Sequence, residues 1–152
     1  MSNLQQTDSK QLLVFTLDEQ SYALYLSVVE RVVRAVEITR LPKAPEFILG
    51  VIDVQGQIIP VIDVCQRLQL PARELDVDDQ FIIAHTSRRR VALVVDSVVD
   101  VGQIEDRELV NAEQVLPSEE YVHGREYIHG IAKLENGLVL ICDLDQFLSI
   151  EE

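Results

Sequence analysis

The chain has 152 residues, 47% of them hydrophobic, with 26 Asp and Glu against 13 Lys and Arg, a net charge of −13. That length suits one ordinary domain or two very small ones, and the apolar content supports a packed core and not a disordered chain. The acidic balance argues against nucleic acid or an anionic membrane surface as a partner, because both need clustered Lys and Arg.

Residues 1–10 are polar, carry a single Leu and read as a flexible tail. They have no signal-peptide character, and no apolar run approaches the ~20 residues of a membrane span. A cytoplasmic location without membrane insertion is expected, with Cys65 and Cys142 reduced. Residues 12–17 are bulky and β-branched and predict a strand. Asp18–Ser21 is a polar turn and residues 22–26 the returning strand. Residues 28–33 carry enough β-branched side chains to favour a strand or a single helical turn. Pro42 and Pro45 make residues 41–45 a loop. Residues 50–68 read as strand, two-residue Gly turn, strand and short helix. Pro60 inside the second of these strands predicts a sheet edge or a bulge. The polar, acidic stretch 71–79 is a connector. Residues 81–84 and 91–95 form a second hairpin, with Arg88, Arg89 and Arg90 at a solvated tip. Residues 91–95 are apolar at every position, which requires cover on both faces or a small closed barrel.

The second half repeats the first. Gly50 matches Gly130, Asp63 matches Asp143, Gln66 matches Gln146 and Leu68 matches Leu148, all eighty residues apart. Ala23-Leu24 matches Ala92-Leu93 at sixty-nine. The difference places about eleven extra residues between Gly102 and His129, an acidic insert with Glu105, Asp106, Glu108, Glu113, Glu119 and Glu120. Many short duplicated strands with little helix predict an all-β fold of two small barrels packed together.

Reactive constellations are missing from this pattern. His123 and His129 stand six apart and neither cysteine has a CxxC partner, so no metal is expected. Asp76, Asp78 and Asp79 lack the central Gly and terminal Glu of an EF-hand loop. Asp63 and Asp143 are equivalent and suggest a carboxylate dyad, but neither is followed by Thr/Ser-Gly. Each precedes a short helix and is better read as an N-cap. No nucleophile elbow, P-loop or dinucleotide glycine pattern occurs, and no cofactor is expected.

Several ordered motifs resemble a known family. They are Phe15-Thr-Leu17 with Tyr22, Val29-x-x-Val32, and Leu41-Pro-x-Ala-Pro45-x-Phe47-Ile-x-Gly50-Val-Ile. Gly56, Pro60-Val-Ile-Asp63, Val91-Ala-Leu-Val-Val-Asp96 and Gly130-Ile-Ala complete the set. Together they resemble the CheW-like domain, found in the adaptor of bacterial chemosensory arrays and in the regulatory domain of the CheA histidine kinase. The resemblance implies one domain over residues 11–150, of two repeats at about 11–70 and 80–148. Its fold would be two five-stranded SH3-like barrels sharing a hydrophobic core, with short helices. It further implies a non-enzymatic adaptor between the cytoplasmic tip of a methyl-accepting chemoreceptor and the regulatory domain of a CheA-type histidine kinase. Kinase contacts would run barrel to barrel.

The partner-binding positions so implied are Val29, Arg31, Gly50, Asp53, Gln55 and Gly56. Three depart from the family pattern, which commonly has Asn for Asp53 and Arg for Gln55, and often Glu for Arg31. The departures leave open a scaffold for pilus motility, second-messenger or developmental signalling. A small-ligand-binding double barrel is a further alternative.

Overall fold

The computed structural model describes residues 9–111, 114, 127–135 and 137–148. Strands β1 (Ser9–Leu17) and β2 (Gln20–Tyr25) form a hairpin, and a 3₁₀ turn at Leu26–Val28 leads into β3 (Val29–Arg34). Next come β4 (Ile48–Val54), β5 (Gln57–Ile62) and helix α1 (Val64–Leu68). The second half supplies β6 (Gln80–His85), β7 (Arg90–Val95) and β8 (Ser97–Glu105), then a 3₁₀ turn at Asp106–Glu108 and β9 (Leu109–Asn111). It closes with β10 (Ile128–Leu134), β11 (Gly137–Cys142) and α2 (Leu144–Phe147). The acidic positions Glu113, Glu119 and Glu120, and His123, lie outside the described residues.

The strands form two sheets, in the orders β3-β6-β7-β5-β4 and β8-β1-β2-β11-β10-β9. Each curls around its own apolar interior: Ile52, Val61, Phe81 and Val94 in the first barrel, Leu12, Val14, Ala23 and Ile141 in the second. A third cluster lies between the barrels and draws on both, with Phe15, Leu24, Ile62, Leu93 and Phe147. Strand alternation explains the continuous apolar runs. In β7, Ala92 and Val94 face the first barrel's interior, while Val91, Leu93 and Val95 face the shared core.

The repeat is visible in the registers. Val14 pairs with Ala23, and sixty-nine residues on Ile83 pairs with Ala92. Gly50 pairs with Val61, and eighty residues on Gly130 pairs with Ile141. A bulge precedes each of these glycines. Sequence halves and barrels do not coincide, however. The first barrel joins β3, β4 and β5 to β6 and β7 of the second half, through a parallel contact of Val61 with Ala92. The second joins β8–β11 to β1 and β2, through the matching contact of Ile141 with Ala23. The sixth strand of the second sheet, β9, has as its counterpart a single bridge between Thr39 and Val51.

Two local expectations change. Pro60 lies in β5, an interior strand, not at an edge. Val51, opposite it, exchanges both backbone bonds with Thr39, so Pro60 faces β4 at a position without ladder bonds. The parallel contact with β7 begins one residue later, at Val61. Proline therefore fits where no N–H is called for.

Asp63 caps α1 as its sequence suggests, its Oδ1 accepting from Gln66 N at 3.1 Å. The Asp143 side chain makes no such bond. There the Gln146 N–H goes to the Asp143 backbone carbonyl at 3.1 Å, leaving the carboxylate without that donor.

The two short helices are tied together by Arg67 of α1. Its Nε donates to the Phe147 carbonyl and its Nη1 to the Tyr127 hydroxyl, each at 2.9 Å. Its guanidinium lies 3.5 Å from the centroid of the Phe47 ring. The connector is pinned by Arg73, which bonds buried Asp79 at 3.0 Å and Asp96 at 2.7 Å. The Asp76 and Asp79 carboxylates accept from the N–H groups of Asp78 and Asp76.

Candidate functional site

Three of the six implied partner-binding residues, Asp53, Gln55 and Gly56, lie at the β4–β5 turn. Gln55 and Gly56 have φ of 51° and 88°. Two successive left-handed residues are the pattern of a type I′ hairpin turn, which matches the twist of its strands. Asp53 Oδ1 accepts from Gly56 N at 2.8 Å and fixes the turn. Arg31 reaches the same turn from β3, its Nη2 donating to Gln55 Oε1 at 3.0 Å. A bulge between Val29 and Arg31 breaks the alternation of β3, and Glu30 and Arg31 are exposed in succession.

Arg31, Asp53, Gln55 and Gly56 thus form one exposed patch. Val29 and Gly50 do not join it. Val29 is half-buried and packs against the shared core. Gly50 is buried, and a Cβ there would lie 2.3 Å from the Thr39 carbonyl oxygen. Its role is the close approach of two backbones, so it is not a contact surface.

Four residues outside the implied set extend the patch: Glu30, Gln57, Ile58 and Arg90. Arg90 opens β7 instead of sitting at the hairpin tip. Its Nε donates to both Glu30 carboxylate oxygens, at 3.0 and 3.1 Å, and its Nη1 donates to Gln57 Oε1. The one available signal was its place next to the first apolar residue of β7. Arg88 and Arg89 do form the exposed tip, where their N–H groups donate to the Thr86 hydroxyl. Ile58 stands beside Gln57 with 60% of its surface exposed.

An exposed apolar residue ringed by fixed charges and amides suits reversible protein contact. Nucleophiles are poorly served by contrast. Burial pushes the thiols of Cys65 and Cys142 up, and pushes the Tyr22 hydroxyl up to about 12. Among the described residues, no three His, Cys, Asp or Glu stand together as a metal site. No described helix is long and apolar enough to cross a membrane.

The family model described as "CheW-like domain" matches residues 11–152. The chain belongs to the CheW-like family. It is 27% identical to the chemotaxis protein CheW of Rhizobium meliloti over 94% of this chain and 90% of that one. It is 30% identical to that of Bacillus subtilis, over 93% and 88%. The crystal structure of the scaffolding protein TtCheW from Thermoanaerobacter tengcongensis superposes with a TM-score of 0.81 at 32% identity, covering 93% of this chain and 89% of that one. Within this CheW-like fold, Arg31 of β3 touches Gln55 of the β4–β5 turn, and Asp53 fixes that turn.

Proposed function

We propose that this chain is a cytoplasmic, non-enzymatic adaptor that couples a methyl-accepting chemoreceptor to a CheA-type histidine kinase. The observation that carries this reading is the near full-length likeness to chemotaxis CheW proteins, with about nine-tenths of each chain covered. The double barrel supports it, since two barrels that share one core offer a separate surface to each of two partners. The exposed patch of Arg31, Asp53, Gln55 and Gly56 is the partner-choosing surface, with Val29 and Gly50 holding its strands in place. Contacts of transient signalling type bury about 1,200 Å² or less and bind at micromolar strength. Calorimetry with the regulatory domain of the kinase from the same cell tests the reading.

A further inference from the structure

The two barrel mouths are built from equivalent strands and are filled differently. In the first, the Arg90 side chain lies across the opening, held by Glu30 and Gln57. The counterparts in the second barrel follow from the registers. Ser21 stands for Arg90, Gly137 for Gln57, Val99 for Glu30 and Gly102 for Val33. A serine and two glycines replace larger side chains, and a cavity of about 450 Å³ opens there. Its rim is aliphatic, with Val99 53% and Leu138 61% exposed. It is also acidic: Asp100 and Glu135 occupy the places of Arg31 and Gln55, and both line the cavity.

We propose that the mouth of the second barrel accepts an arginine side chain, flanked by aliphatic residues, from a protein partner. The first barrel supplies the template, since the same backbone frame there holds an arginine of the chain itself. An arginine entering the second mouth would lay its methylene stem on the valine and leucine rim and keep its head at the carboxylates. The planar guanidinium suits such acceptors better than a lysine ammonium does. One Asp100 oxygen accepts from Val101 N at 2.7 Å, which holds the carboxylate in place and leaves its second oxygen for a ligand. The net charge of −13 steers a cationic group toward the chain. The inference rests on the adaptor reading only in assigning the arginine to a protein.

The test is an amide chemical-shift titration of the full chain, labelled with ¹⁵N, using the blocked peptide acetyl-Ile-Arg-Ile-amide. The same peptide with Gln in place of Arg is the control. The expected shifts fall on Val99, Asp100 and Leu138 and spare Glu30, Arg31 and Ile58. The Gln peptide should bind roughly tenfold more weakly, the loss of one charge-assisted hydrogen bond. Ser21→Arg puts an arginine at the counterpart of Arg90 and should abolish the shifts. Asp100→Asn, an isosteric change on an exposed strand, should weaken them with the other amides unmoved. No shifts at millimolar peptide, equal shifts with the Gln peptide, shifts spread over both mouths, or unweakened binding to Asp100→Asn would overturn the proposal. A chain that binds the peptide but not the kinase domain contradicts the adaptor reading alone. One that binds the kinase domain but not the peptide contradicts this proposal alone.

Discussion

Arg31 Nη2 donates to Gln55 Oε1 at 3.0 Å, so two of the three positions at which the sequence resemblance implies a departure from the CheW-like pattern touch each other. A Glu and an Arg in these places could make the same contact with donor and acceptor exchanged. The third departure, Asp53, holds the turn that presents Gln55. The three differences therefore alter one surface feature while its local geometry is kept.

Changing Arg31→Glu, Asp53→Asn and Gln55→Arg together restores the usual polarity of the pair. Stability should stay within about ±0.5 kcal/mol, because the groups are exposed and remain partnered. Affinity should rise for a conventional receptor tip and fall for the native partner, since like charges across an interface disfavour the wrong partner. Indistinguishable binding curves for the variant and the wild type would make these positions neutral in recognition.

Arg67 holds the two helices to each other, so Arg67→Ala should lower stability by about 2–3 kcal/mol through lost hydrogen bonds and lost packing on Phe47. Arg67→Lys should recover only part, because an ammonium cannot both stack and fork. Urea midpoints of the two variants check this; a midpoint for Arg67→Ala equal to the wild type would remove the tie from the account.

Truncation after Asp143 removes buried Leu144 and Phe147 and half-buried Leu148 from the shared core. Full burial is worth about 1.5–3 kcal/mol for each such side chain, against a total stability of about 5–15 kcal/mol. The truncated chain should be unfolded or melt far below the intact one. An unchanged melting temperature would show α2 to be peripheral.

Much of this architecture was legible from the residues. The offsets of sixty-nine and eighty reappear in the strand registers, and the unbroken apolar run of β7 reflects cover on both faces. What could not be read was which hairpin enters which barrel. Each opening hairpin is apolar on two faces and nearly equivalent to the other, so no local pattern says that β1 and β2 join the second half. Pro60 misled because its rule concerns a missing N–H, and only the long-range pairing shows that none is needed there. Arg90 read as a hairpin-tip charge and Arg67 carried no signal, because their side-chain hydrogen-bond partners lie thirty-three to eighty residues away.

Alkaline pH should destabilise the fold. Burial raises the Tyr22 hydroxyl to about 12 and raises the Cys65 and Cys142 thiols from their ordinary value of 9.0. Below that value these groups are protonated in both states and add no pH dependence. Above it the unfolded chain releases protons that the folded chain retains, so stability falls as pH rises. The slope approaches about 1.4 kcal/mol per pH unit for each group so titrating. Urea midpoints from about pH 8 to about pH 11 report it, and a flat profile would contradict burial of these groups.

The central claim is that the chain is a coupling adaptor. Its most direct test is isothermal titration of the full chain with the regulatory domain of the CheA-type kinase from the same cell. The account predicts a saturable, one-to-one isotherm at micromolar strength. No heat of binding with both proteins at several hundred micromolar, confirmed by separate elution on a sizing column, would contradict it.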